Sequence, residues 1–345
     1  MKRSIAVFGV IAAALTVFVF ACKGGSKDEK PVAGAVWYNY ADTYIATTRT
    51  TLNKAAEAEG IITIREADSQ GDIATQTSNI NNLYSQGINF LVLNNINFNA
   101  KVQLIQQAKE HDAAILFVNT DSPSDEEYKL YDRVYHVSAL EEQSGEIMAQ
   151  HAVKYWKAHP EADRNGNGKL DYIMLLGIVD HNSTQIRSRL SIQGIQEAGI
   201  QTNLVQEAIC GYQRGEAQNQ VASILQARRD DIEFIFACND DMALGAIEAL
   251  KAAGFFKDPA SFIPVISVDA TAVAVEAVKE GTLLGTALNN PVTLGNAAYK
   301  VVMLLSEGKE ITDANINIPG TRVEGHHVYL DFKPIDAGNV QDASY

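Results

Sequence analysis

The stretch from Asp163 to Arg187 carries two sets of ligating side chains, one on each side of a single apolar run. Before the run, the oxygen-bearing side chains of Asp163, Asn165, Asn167 and Asp171 stand at positions 1, 3, 5 and 9 of a loop whose sixth residue is Gly168. Calcium is a hard ion that takes six to eight oxygens, and alternate positions around a glycine turn can wrap it, as in the first part of an EF-hand loop. Lys169, seventh, would add its main-chain carbonyl. The twelfth position, where a bidentate Glu ordinarily closes the shell, is Met174 inside the apolar run, so a carboxylate must come from elsewhere. An Asn/Gly turn between helix and strand is the plainer reading of the same residues. After the run, His181, Ser183 and Arg187 form a His-x-Ser-x-x-x-Arg loop leading into a helical pattern. An α/β sheet presents its ligand groups there, beyond the carboxyl ends of its strands.

The elements that must position these residues alternate short β-branched runs with amphipathic stretches of helical length, which predicts parallel βαβ units. Strands are expected near 34–38, 61–65, 90–93 and 114–118, with helices over 43–58, 73–85 and 100–111. A helix over 141–158 precedes the Asp163 loop, and further strands are expected near 172–176, 202–208, 233–237, 265–268 and 285–288. Helices near 184–198, 213–226, 241–253 and 272–279 lie between them, and a last one covers 294–306. The length exceeds what one core usually supports, so the pattern predicts two doubly wound, Rossmann-like lobes.

The strand ends collect polar residues. Asp42 and Tyr44 follow the first strand, and Asn94 follows the third. In the second series stand His181, Ser183 and Arg187, then Tyr212, Asn239, Asp269 and Asn289. Any one of these could be a cap or turn residue. Together they suit a polyhydroxylated ligand: carboxylates and amides take paired hydroxyls, Arg supplies a planar fork of donors, and tyrosine rings cover apolar C–H faces.

An open calcium loop, a buried strand and the His-x-Ser-x-x-x-Arg loop resemble the periplasmic glucose/galactose-binding proteins, the substrate-binding subunits of sugar ABC transporters. The resemblance extends from about Val32 to about Lys333. It implies a type I periplasmic binding protein, with the two lobes joined by a three-segment hinge that closes on the sugar. It implies sugar-binding roles for Asp42, Tyr44, Asn94, His181, Ser183, Arg187, Tyr212, Asn239, Asp269 and Asn289. It also places Glu233 as the distant carboxylate that completes a structural calcium site with Asp163, Asn165, Asn167, Lys169 and Asp171. The implied lobes are 33–119 plus 291–325 and 120–290 plus 326–340, so the last helix returns to the first lobe. Three residues depart from the family pattern. Ser183 stands where an Asp is usual, Tyr44 and Tyr212 replace Phe and Trp, and Asp171 replaces a longer amide.

At the amino end, Lys2-Arg3 and the apolar run to Ala21 read as a signal peptide, residues 1–21. Val19-Phe20-Ala21-Cys22 is similar to a bacterial lipobox, which makes Cys22 the expected lipidation site and 22–32 a flexible tether. The formal charge of −14 becomes −16 once Lys2 and Arg3 are removed, a poor balance for binding nucleic acid. Cys210 and Cys238 are expected to remain free, because a strand should separate them by about 10 Å. The expected protein is a periplasmic, lipid-anchored monomer that binds glucose or galactose and docks on a permease. A chemoreceptor partner and a ribose or nucleoside ligand are the alternatives on the same fold. A glycosidase using paired carboxylates such as Asp42 and Asp269 is the enzymatic alternative, but no nucleophile–base pair emerges.

Overall fold

The computed structural model describes residues 30–119 and 122–343, so the signal segment, Cys22 and the tether up to residue 29 lie outside the described residues. The strands are β1 (Val32–Trp37), β2 (Thr63–Asp68), β3 (Phe90–Leu93), β4 (Ala114–Val118), β5 (Val134–Ala139), β6 (Lys169–Leu176), β7 (Gln201–Ile209), β8 (Phe234–Ala237), β9 (Val265–Asp269), β10 (Gly285–Leu288), β11 (Thr321–Glu324), β12 (His327–Leu330) and β13 (Lys333–Asp336). The helices are α1 (Thr43–Glu59), α2 (Ile73–Ser85), α3 (Lys101–Glu110), α4 (Asp125–Tyr128), α5 (Glu141–Ala158), α6 (Asn182–Glu197), α7 (Arg214–Arg228), α8 (Asp240–Ala252), α9 (Ala272–Lys279), α10 (Pro291–Ser306) and α11 (Asp313–Ile316).

Two sheets result, ordered β2-β1-β3-β4-β5-β12-β11 and β7-β6-β8-β9-β10-β13. Pairing is parallel except for the β11–β12 hairpin and the β10–β13 edge. Strands β3, β4, β8, β9 and β10 are buried at every residue, as expected of a parallel sheet covered by helices on both faces. The order of the second sheet puts β6 between β7 and β8, so Cys210 and Cys238 flank a strand, and both are free and buried. Helix α10 packs on α1, as the resemblance implied. Gly295 makes this approach possible, since a Cβ there would lie 2.5 Å from the Thr48 carbonyl oxygen.

The lobe boundaries differ from the expectation at two of the three crossings. Strand β5 pairs in parallel with β4, so residues 134–139 belong to the first lobe and the chain crosses between Ala139 and Glu141, not after Asn119. Strand β12 pairs in parallel with β5, so the last crossing follows Leu330, not Gly325, and only β13 returns to the second lobe. The reason is polar burial. His136, Ser138 and His327 interrupt the apolar signal of β5 and β12, yet all three are buried, with Ser138 Oγ 3.1 Å from His327 Nε2. The two crossing segments run side by side, and the Leu140 N–H donates to the Leu330 carbonyl at 3.1 Å.

Candidate ligand-binding site

A cavity with about 400 Å³ of empty space lies between the sheets, at the carboxyl ends of the parallel strands. Nine of the ten residues singled out at strand ends line it: Asp42, Tyr44 and Asn94 from the first lobe, and His181, Ser183, Arg187, Tyr212, Asn239 and Asp269 from the second. Asn289 stands behind this wall, where its amide donates to Asn119 Oδ1 at 3.3 Å and its own Oδ1 is buried without a partner.

Helix starts position much of the lining. Asp42 caps α1, its Oδ1 accepting from the Ile45 N–H at 2.9 Å, while Oδ2 accepts from the Tyr38 hydroxyl. Asn239 caps α8 by accepting from the Met242 N–H at 3.0 Å. His181 is the residue before α6, which places Ser183 in the first turn of the helix and Arg187 in the second, both buried. Tyr212 lies on the end of β6 because Gly177 leaves room: a Cβ there would sit 2.1 Å from the tyrosine Cζ. Its hydroxyl is held 2.6 Å from Thr184 Oγ1. Asp269 ends β9 with φ 120, followed by Ala270 at φ 52, two left-handed non-glycine residues in a row. Such conformations persist only when the surroundings impose them.

The charges are buried and tuned. Arg187 donates from Nε to Glu141 Oε1 at 2.5 Å and from Nη1 to the Cys238 carbonyl at 2.6 Å, with Asp269 Oδ1 3.9 Å away. Burial pushes the Asp42 carboxyl up to about 6. It raises Asp269 well above the usual carboxylate range, and the neighbouring Arg187 guanidinium opposes that rise. Burial and Arg187 push His181 down to about 4, so its imidazole is neutral at pH 7. His181 packs on Phe98 of the opposite lobe with ring centroids 4.4 Å apart. Its Nε2 and the Tyr44 hydroxyl are buried without hydrogen-bond partners. Unmet groups at the wall of a cavity are expected where a ligand completes the bonding.

Four contributors escaped the sequence reading. Tyr38 and Ile45 line the cavity, and so does Asn119. Glu141, the first residue of α5, accepts from both Arg187 Nε and Ser183 Oγ, the latter at 3.1 Å. Its position at the lobe crossing gave no sequence signal, because it reads as an ordinary acidic residue in a first helical turn.

The loop before β6 is held by its own side chains. Asp163 Oδ1 and Oδ2 accept from the N–H groups of Asn167 and Gly168 at 3.0 Å each, Asn165 Oδ1 accepts from Asn167, and Asn167 Oδ1 accepts from Lys169. Glu233 reaches in from the start of β8, its oxygens accepting from the Arg164 N–H at 2.7 Å and the Asp171 N–H at 3.1 Å. Asp171 differs from a free ligand: its carboxylate accepts from the amides of Asn165, Asn167 and Asn203. Among the described residues no three His, Cys, Asp or Glu side chains gather closely enough to hold a metal. An ion here would therefore lean on the neutral oxygens of Asn165, Asn167 and the Lys169 carbonyl, an all-oxygen set that suits calcium.

The whole arrangement is built to hold a neutral, hydroxyl-rich molecule between two lobes, and it offers no activated nucleophile. A family profile described as a periplasmic binding protein domain matches residues 33–310. The chain is 30% identical over 337 residues to the D-galactose/methyl-galactoside binding periplasmic protein MglB of Haemophilus influenzae, covering 96% of this chain and 98% of that one. It is 25% identical over 260 residues to the ribose import binding protein of Bacillus subtilis, covering 75% and 76%. Among solved structures, an ABC transporter solute binding protein of Bacillus halodurans with bound myo-inositol superposes with a TM-score of 0.76 at 20% identity, covering 92% of this chain and 98% of that one. A glucose-galactose binding protein of Geobacillus stearothermophilus gives 0.71 at 15% identity, covering 90% and 99%.

Proposed function

The chain belongs to the periplasmic binding protein domain family, and we propose that within it the protein is the sugar-binding component of an ABC transporter, capturing D-glucose, D-galactose or both. The observation that carries this reading is the cavity where carboxylates, amides, a guanidinium and three tyrosines from both lobes converge. Asp42 and Asp269 accept from sugar hydroxyls, Asn94 and Asn239 both accept and donate, and Arg187 donates. Tyr44 and Tyr212 cover the C–H faces. One lobe takes the sugar first, and hinge closure brings the other set of groups onto it. The bonds that seal the cleft are on hand: Thr43 donates from its N–H and hydroxyl to Asp241 across the lobes, at 3.2 and 3.1 Å. The likeness to a galactose-binding relative along nearly the full chain supports the hexose class.

Two companion features belong to the same proposal. Calcium at the Asp163 loop would draw on Asp163, Asn165, Asn167, the Lys169 carbonyl and Glu233, with Asp171 joining them only on giving up its bonds to the Asn165 and Asn167 amides, and it would stabilise the second lobe without touching the sugar. Lipidation at Cys22 tethers the domain in the periplasm. Isothermal titration of the mature, sugar-stripped protein with glucose, galactose and ribose, with and without a calcium chelator, tests the first two. Tight hexose binding that disappears in Asp269→Ala is the expected result, with a lower melting temperature in the chelator. Silence toward both hexoses in calcium-replete protein sinks the sugar assignment, and an unchanged melting temperature sinks the ion. Cys22→Ala should move the protein from the membrane fraction to the soluble one.

A further inference from the structure

His181 stands in the wall of the ligand cavity on the second lobe, but what fixes its ring comes from the first. Phe98, in the loop after β3, packs on the imidazole with ring centroids 4.4 Å apart. The ring also hydrogen-bonds to the main chain of Ile96, in the sense that favours a protonated nitrogen, so the carbonyl is the acceptor. Nε2 is buried without a partner, which leaves Nδ1 as the nitrogen that donates to Ile96. A neutral imidazole protonated on Nδ1 carries its lone pair on Nε2. The 96–98 segment thus selects between two tautomers from across the cleft, and it selects the one that accepts.

This segment is braced within its own lobe. Gln76 of α2, itself buried, accepts from the Ile96 N–H at 2.9 Å and donates to the Asn94 carbonyl at 3.0 Å. Asn95 clasps Asn97 twice, Oδ1 accepting from the Asn97 N–H at 3.2 Å and Nδ2 donating to its carbonyl at 2.9 Å. Phe98 faces an outer part of the cleft with about 980 Å³ of empty space, whereas His181 faces the ligand cavity. The two rings therefore form a partition between the site and the outer cleft, with Phe98 on the water side.

Resting on the sugar-binding reading above, we infer that Phe98 is a positioning residue for capture: on closure it covers His181 and, with the Ile96 carbonyl, locks it as the Nδ1–H tautomer whose Nε2 accepts a ligand hydroxyl. Without this cover the ring titrates near its ordinary 6.5, whereas the covered ring, beside Arg187 and Tyr212 of its own lobe, is pushed down to about 4. Closure releases a proton from His181 between those values, so its contribution to capture is complete above 6.5 and fades as pH falls below it. Asp42 and Asp269 titrate in the same cavity, so the ring nitrogens, rather than the affinity, report on His181.

Long-range proton–nitrogen spectra of the mature protein, isotope-labelled at histidine, with and without saturating glucose or galactose, test this from about pH 5 to about pH 8. His181→Gln identifies the signals by their loss. With hexose bound, His181 should show a protonated Nδ1, a bare Nε2 and no titration over this range, and without sugar it should titrate near 6.5. Phe98 lies outside the buried cores, so Phe98→Ala should keep the sugar-free melting temperature. In the bound state that variant should titrate at His181 closer to 6.5 and release hexose about tenfold faster. Phe98→Leu, which restores an apolar cover, should regain the wild-type titration and release rate. A bound His181 protonated at Nε2, or a bound Ala variant whose His181 titrates as in the wild type, overturns the inference and leaves the function above standing. If neither hexose binds the wild-type protein, the sugar-binding reading falls and this inference falls with it.

Discussion

Asp42 and Asp240 are carboxylic acids that burial lifts from an ordinary value near 3.8 up to about 6. The folded chain therefore holds protons that the unfolded chain has released between those values. Stability from this source is complete below the ordinary value and is lost as pH rises through about 6. Asp42→Asn keeps the α1 cap, since Asn also caps well, and removes one of the two groups. Its stability should be flatter between pH 4 and 6 by about 3 kcal/mol, read from denaturant melts across that range. Glu141 is the counter-charge that makes a buried Arg187 tolerable. Glu141→Gln should cost about 3 kcal/mol of stability and weaken hexose binding, because an arginine that is only 5% exposed loses its counter-charge. A wild-type affinity and melting curve for this variant would remove Glu141 from the site. The residue types at the strand ends were legible because carboxylates and amides there are too many to be turns. Glu141 and Asn119 were not, because only the path of the chain between lobes brings them to the cavity.

At the scale of elements, helix starts do most of the positioning. Asp241, at the start of α8, accepts from Arg214 Nη2 at 2.6 Å and from the first N–H of α1 across the cleft. The two helices thus meet end to end with a carboxylate on the positive terminus of α1, a favourable placement. Asp241→Ala should leave each lobe folded and release sugar about tenfold faster, measured by stopped-flow displacement, with a smaller change in the association rate. An unchanged release rate would show that the contact does not hold the lobes together. The parallel strands and their helices were readable because runs buried on both faces are apolar throughout, as in β4 and β8. Strands β5 and β12 were hidden by the buried pair Ser138 and His327, which satisfy one another only after the two strands, 189 residues apart in sequence, have met.

At the scale of the whole molecule, the sugar class was legible from residue chemistry combined with likeness to a known family. The hinge boundaries were not, because they depend on which sheet claims two polar strands. A chain ended at residue 320 would retain every lining residue of the ligand cavity but lose β11, β12 and β13. It should self-associate on size-exclusion chromatography, because β5 and β10 would become open edges with unpaired N–H and C=O groups. A monomeric, sugar-binding product would contradict this. The same interleaving fixes an order in time. The first sheet cannot be completed until β12 exists, and the second waits for β13, so both lobes depend on the last stretch of chain to be synthesised. A growing chain therefore lacks the last strands of both sheets almost to its end. For a member of a periplasmic binding protein family, whose work lies beyond a membrane, that delay leaves the sheets unfinished until late in synthesis.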